Sequence, residues 1–124
     1  MKLLVCGTRI HGSDKVFRDA YRQKVFDSLS SYYGAVSVLE IVEGCCPNSA
    51  DAFSEEFVIL HGLKIHHFPS TSGNYLKRNI EMVEDCDEVL CFWDGFSYGT
   101  AHTVAQAVLH GKPVKIIDLS GVKS

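Results

Sequence analysis

The fold class this sequence predicts is α/β, and three observations predict it. Five short apolar or β-branched runs alternate with four stretches in which apolar residues recur at helical spacing. No repeat, linker or low-complexity segment breaks the alternation. One strand-to-helix connection, Phe92-Trp93-Asp94-Gly95-Phe96-Ser97-Tyr98-Gly99-Thr100, carries glycines that let backbone N–H groups approach an anion at a helix N-terminus. Strands that alternate with helices pair in parallel, because each crossover needs a helix to return the chain. The expected architecture is a Rossmann-like three-layer fold with a mostly parallel five-stranded sheet flanked by helices. A chain of 124 residues suits a single domain over residues 1–124.

Residues 2–6 read as a buried strand. From Asp14 onward Phe17, Tyr21, Val25 and Leu29 mark one face of a helix, with Ser13 or Asp14 as its cap and Gly34 as its stop. The run Val36-Ser37-Val38-Leu39-Glu40-Ile41-Val42 is the second strand. Ala50, Phe53, Phe57 and Leu60 place a second helix closed by Gly62, and residues 63–68 a third strand stopped by Pro69. Leu76, Ile80 and Val83 place a third helix, and residues 88–93 a fourth strand. Ala101, Val104, Ala105 and Val108 place a fourth helix ending at Gly111, and residues 114–118 form a fifth strand after Pro113.

Charge and cysteine usage narrow the function classes. A formal net charge of −3, from 12 Lys and Arg against 15 Asp and Glu, leaves no basic block of the kind a dedicated nucleic-acid binder carries. Extended nucleic acid is therefore not an expected partner. The N-terminal apolar run is too short for a signal peptide, and no stretch approaches the ~18 apolar residues of a membrane span, so a soluble, cytoplasmic protein without a membrane partner is expected. Five cysteines are an odd number, and Cys6 and Cys91 sit in strand-like runs, so reduced thiols are expected. No metal or cofactor is expected: adjacent His66 and His67 point to opposite faces of a strand, and Cys45-Cys46 lacks ligand spacing. Phe17, Tyr21, Tyr32 and Tyr33 give the first helix more aromatic surface than a monomer needs, which points to a homodimer or higher homo-oligomer.

In such sheets ligands lie beyond the carboxyl ends of the strands, where the strand order reverses. Four polar loops fall there: Gly7-Thr8-Arg9, Glu43-Gly44-Cys45-Cys46-Pro47-Asn48-Ser49-Ala50-Asp51, residues 70–78, and residues 94–100. Gly7 frees the backbone, Thr8 offers a hydroxyl, and Arg9 offers a planar cation suited to phosphate or carboxylate. Asn48, Ser49 and Asp51 suit both the capping of the second helix and contact with a ribose or phosphate. Arg78 and Asn79 read either as a solvated helix face beside Lys77 or as ligand contacts. Asp94, Gly95, Ser97, Tyr98, Gly99 and Thr100 form the phosphate turn, with Tyr98 placed to stack on a base, and His102 follows in the helix, where it can serve as an acid or base. Together with Gly44, these residues converge on one predicted ligand crevice.

Taken together, Gly7-Thr8-Arg9, the loop 43–51, Arg78-Asn79-x-x-Met82 and Phe92-Trp93-Asp94-Gly95-x-Ser97-x-Gly99-Thr100 resemble the small YspA-like proteins of the SLOG superfamily. That superfamily includes the LOG phosphoribohydrolases and the DNA-processing protein DprA. The resemblance spans nearly the whole chain and implies a Rossmann-like domain that binds nucleotides or nucleotide-derived ligands, with phosphate near Gly95, Gly99 and Thr100. Arg78 and Met82 match the Arg-x-x-x-Met portion of LOG enzymes. Those enzymes carry a catalytic glutamate where this chain has Thr103, and a glycine-rich loop where this chain has Cys-Cys-Pro-Asn-Ser, with Asp51 retained. A threonine supplies no carboxylate for a developing oxocarbenium ion or a proton.

Three readings follow. The leading one is a module that senses or sequesters a nucleotide-derived small molecule, such as an ADP-ribose derivative or a cyclic nucleotide, in the manner of a phage sponge that counters nucleotide-based immune signalling. The second is a phosphoribohydrolase-like enzyme that cleaves an N-glycosidic bond, with Asp94, Asp51 or His102 replacing the missing glutamate. The third is a DprA-like nucleic-acid or protein-interaction module, disfavoured by the net charge of −3.

Overall fold

Parallel pairing runs through the entire sheet. The computed structural model describes residues 1–12, 14–70 and 73–120. Its strands are β1 (Lys2–Gly7), β2 (Glu40–Glu43), β3 (Lys64–His67), β4 (Glu88–Trp93) and β5 (Val114–Asp118), ordered β3-β2-β1-β4-β5. Every pairing is parallel, so the sheet is wholly rather than mostly so. Four helices return the chain: α1 (Lys15–Ala35), α2 (Ala50–His61), α3 (Tyr75–Asp85) and α4 (Tyr98–Leu109).

Strand alternation divides the core into two layers. Leu3, Val5, Ile41, Leu90 and Phe92 pack with Tyr21, Val25 and Leu29 of α1 and Phe53 and Phe57 of α2. Leu4, Cys6, Val42, Val89 and Cys91 face the other way and pack with Met82 and Val83 of α3 and Ala107 of α4. A central strand buried on both faces reads as a continuous apolar run, which is what Leu3-Leu4-Val5-Cys6 is. All five cysteines are free thiols. Among the described residues no helix is long and apolar enough to cross a membrane.

The departures from the sequence reading have local causes. β2 begins only at Glu40, because its partner β1 begins at Lys2, the residue paired with Glu40, and residues 36–39 run past the end of that strand. Gly34 does not stop α1, which continues to Ala35 with Val36 as its C-cap. Asp14 caps α1, its side chain accepting from the Phe17 amide at 3.1 Å; Ser13, the other cap named above, lies outside the described residues. α4 buries Thr100, Thr103 and Ala107 rather than the stripe through Val108, which is 66% exposed. Most of the aromatic residues that pointed to a second copy are internal. Tyr21 is fully buried and Phe17 and Tyr32 pack against the core, so only Tyr33 of that set is exposed.

Tyr21 locks the layer that carries the site. Its ring packs edge-on against Phe53 at 5.3 Å, and its hydroxyl donates to the Thr8 carbonyl at 2.9 Å while accepting from the Ala50 amide at 3.1 Å. The exit from β1 and the start of α2 are thereby held by one buried oxygen. Gly7 accommodates this closeness, since a Cβ there would collide with the Tyr21 hydroxyl and lie 2.7 Å from the Phe92 carbonyl. Tyr21→Phe leaves two buried backbone groups without a partner, and urea unfolding is expected to show a loss of about 1–3 kcal/mol; an unchanged midpoint would refute this role for the hydroxyl.

Candidate functional site

At the carboxyl ends of the strands, on the α3–α4 side of the β1–β4 switch point, lies a cavity of about 630 Å³. Of the sequence-predicted residues, Gly7, Arg9, Gly44, Asp51, Arg78, Asn79, Ser97, Gly99 and Thr100 line it. Cys45, Cys46, Tyr75 and Thr103 line it as well. The structure does not bring Thr8, Asn48, Ser49, Asp94, Gly95 or Tyr98 to the cavity wall; most of these hold the loops that make the wall. Thr71 and Ser72 of the loop 70–78 lie outside the described residues.

Thr8 and Asp94 join the two central strand exits. The Thr8 hydroxyl oxygen accepts from the Asp94 amide at 3.0 Å, and the Ser97 hydroxyl lies 3.1 Å from both the Thr8 hydroxyl and the Asp94 carboxylate. Asp94 also accepts from the amides of Phe96 (2.8 Å) and Ser97 (3.0 Å). Burial works against its ionised form, but these donors outweigh burial and hold its carboxyl below the usual value. Gly95, at φ 89°, supplies the left-handed backbone this tight turn requires. The amides expected to cradle phosphate before Tyr98 are thus occupied by Asp94. Tyr98 itself is 72% exposed and outside the cavity.

Ser49 and Asn48 act on the protein. Ser49 caps α2, accepting from the Asp51 amide at 3.2 Å and donating to the Cys46 carbonyl at 2.9 Å. The Asn48 carbonyl accepts from Ile10, and its side-chain oxygen accepts from Arg18. Asp51 is buried, and one carboxylate oxygen accepts from the amides of both Gly44 and Cys46 at 3.1 Å. The N-terminus of α2 is therefore filled from within.

The starts of α3 and α4 differ. Neither N-cap residue, Asn74 or Ser97, makes a side-chain capping bond. The first turn of α4 presents Gly99 and Thr100 to the cavity, with the unpaired amides and positive dipole end that any helix start carries. Across from it, Arg78 donates to the carbonyls of Gly44 (2.6 Å) and Phe68 (3.1 Å) and through Nε to Asn79 (3.0 Å). Among the described residues its Nη2 meets only the Cys46 thiol, at 4.0 Å, which leaves donor capacity for a ligand in the cavity. Asn79 extends the tie to α4, its amide nitrogen lying 3.3 Å from both the Gly99 carbonyl and His102 Nδ1. Among the described lining residues Arg9 and Arg78 oppose a single carboxylate, that of Asp51, a local balance that suits an anion although the whole chain carries −3. The Thr103 hydroxyl donates to the Gly99 carbonyl at 3.1 Å, back into its own helix.

No protein-family model matches the chain, and no curated protein matches it in sequence.

Sequence reasoning missed the part played by Glu43, which is fully buried beneath this wall. Burial pushes its carboxyl up to about 7 against the opposing hydrogen bond from the Cys45 amide, and burial with Glu43 beside it raises the Cys45 thiol to about 11. Tyr75 and Cys46 were also missed as lining residues. The available signal was position alone, since both sit within the loops already singled out.

Two expectations follow. Gly44 has no room for a side chain, because a Cβ would collide with the Arg78 guanidinium. Gly44→Ala should displace Arg78 and cost about 1–3 kcal/mol by urea unfolding; full stability with Arg78 in place in a crystal structure would contradict it. For Asp51, burial pushes the carboxyl from its ordinary 3.8 to about 6, against the Cys46 and Gly44 amides. The folded state then binds the extra proton between those values, so this group's contribution to stability falls as pH rises from about 4 to about 6. Asp51→Asn keeps an acceptor for both amides and removes the charge. Relative to wild type, its unfolding free energy should rise by about 1–3 kcal/mol across that window; parallel pH profiles would sink the assignment.

Proposed function

We propose that this protein binds a nucleotide-derived anion, such as an ADP-ribose derivative or a cyclic nucleotide, and senses or sequesters it without chemical change. The observation that carries the reading is the uncapped start of α4 facing Arg78 across the cavity at the strand ends. A phosphate at Gly99 and Thr100 would meet helix amides and the positive end of the dipole, with Arg78 Nη2 and Arg9 available to its remaining oxygens. The volume of about 630 Å³ suits a ligand of nucleotide size. The resemblance to YspA-like SLOG proteins supports the same ligand class, and a phage sponge that removes a nucleotide immune signal is its biological form.

Binding is favoured over N-glycosidic hydrolysis by what the candidate acids already do. Asp51 and Asp94 hold backbone amides, His102 is not a lining residue, and the Thr103 hydroxyl is turned onto Gly99. The proposed setting is the cytoplasm. The proposed assembly is a homodimer, for which the exposed neighbouring apolar side chains Val108 and Leu109 at the end of α4 are the support.

Mass spectrometry of nucleotides, NAD, ADP-ribose and cyclic nucleotides incubated with the protein, applied to retained and free fractions, tests this. A retained, unchanged compound is expected, whereas release of free base would replace the reading with the hydrolase. Gly99→Ala provides the site test. An added Cβ lies 3.8 Å from the Tyr75 ring, an ordinary contact, and alanine suits a helix better than glycine, so the fold should be retained. The methyl group narrows the approach to the α4 amides and should weaken the retained compound at least about tenfold by calorimetry. Unchanged affinity would remove the phosphate from this helix start.

A further inference from the structure

Beside the cavity, and sharing Cys45 with its wall, four side chains of metal-ligating type converge. Glu43 ends β2, Cys45 follows in the loop, His67 ends β3 and Glu55 projects from α2. One ligand atom from each lies within 4.8 Å of all the others. The parallel register places Glu43 beside His67, and strand alternation turns both toward the α2 layer, the side to which Ile41 and Ile65 also point.

Three of the separations match a tetrahedral zinc site. Zinc bonds of 2.0–2.3 Å to oxygen, nitrogen and sulfur require ligand atoms about 3.3–3.6 Å apart at tetrahedral angles. Cys45 Sγ lies 3.5 Å from His67 Nδ1 and 3.6 Å from Glu43 Oε1, and Glu55 Oε1 lies 3.5 Å from His67 Nδ1. His67 Nδ1 and Glu43 Oε1 are closer, at 2.5 Å, as a hydrogen-bonded pair. Coordination replaces that bond: the imidazole keeps its proton on Nε2 and offers the Nδ1 lone pair.

The surroundings suit a cation as well. The Cys45 amide donates to Glu43 Oε2, which orients the other carboxylate oxygen toward the cluster, as partners of metal ligands commonly do. Two carboxyl groups, one of them on the fully buried Glu43, meet an imidazole and a thiol, a mixed oxygen, nitrogen and sulfur donor set that a divalent ion can draw together. Thiol and imidazole together select a borderline-soft metal over calcium or magnesium. His67 is half exposed, which gives the ion an entry path.

The geometry points to a closed, four-ligand zinc site formed by Glu43, Cys45, Glu55 and His67, which clamps residues 44–46 against the cavity. It stands independently of the ligand proposed above. Metal analysis of the full chain after zinc loading and desalting tests it, together with the absorption spectrum of the cobalt-loaded protein. About one zinc per chain is expected, with a thiolate-to-cobalt charge-transfer band. Cys45→Ser should abolish the band, and Cys46→Ser should leave it. Because Cys45 lies in a tight loop, Glu55→Gln on the α2 surface serves as the second variant. With an unchanged circular dichroism spectrum it should weaken zinc at least about tenfold and lose the zinc-dependent rise in unfolding temperature. Substoichiometric zinc in wild type, a band that survives Cys45→Ser, or undiminished affinity in folded Glu55→Gln would each overturn the assignment.

Discussion

Parallel pairing throughout the sheet sends every strand out at the same edge, and the polar chemistry of the protein collects there as a result. The order β3-β2-β1-β4-β5 makes β1 the pivot: the first crossovers proceed to one side of it, and α3 carries the chain across the opposite face to β4 on its other side. The exits of β1 and β4 are neighbours as strands but lead to helices on opposite faces, which opens a crevice between them. The Thr8 hydroxyl, bonded to the Asp94 amide, keeps that crevice from widening.

Most polar residues of the four loops serve the backbone rather than a ligand, and burial explains why. A loop drawn in against the sheet carries amides and carbonyls that water no longer reaches, and each needs a partner. Asp51, Ser49 and Asp94 provide those partners within a few residues of their own positions. What remains open is informative by contrast. The start of α4 lacks the side-chain cap that Ser49 gives α2, and Arg78, held by two carbonyls, keeps Nη2 facing the cavity wall. A rigid cation opposite a free helix start is preorganised for an anion, with little ordering left to be done on binding.

The layers were legible in the sequence because apolar periodicity follows directly from burial on a two-faced sheet, and β4 and β5 fall where their apolar runs do. β2 was not, since its length is set by where β1 starts, a pairing that no local pattern encodes. The buried face of α4 was misread for a different reason. Thr103 satisfies its hydroxyl on the Gly99 carbonyl of the same helix, which lets a polar residue occupy a core position while Val108 faces outward. The crevice was legible as a set of loops, but which residues face it depends on side-chain partners. The Glu43, Cys45, Glu55 and His67 cluster was invisible for the same kind of reason. Adjacent His66 and His67 do part to opposite faces, the former to Glu40 and the latter to Glu43, and only the register of β2 on β3 and the placement of α2 bring the four ligand atoms together.

Residues 44–46 connect the cavity and the cluster, and they do so from three directions. The amides of Gly44 and Cys46 point to the Asp51 carboxylate, the Gly44 carbonyl receives Arg78, and Cys45 between them reaches the opposite way to Glu43 and His67. Such a reversal within three residues requires Cys45 to take φ 62°, a left-handed conformation that a residue with a side chain adopts only when its surroundings hold it. Those surroundings are the carboxylate on one side and the cluster on the other. An ion held by Cys45 would stiffen the carbonyl on which Arg78 rests, and an anion drawn toward Arg78 would pull on the loop that carries Cys45. Any difference in affinity transmitted through this loop must be equal in both directions, since coupling between two binding sites is reciprocal.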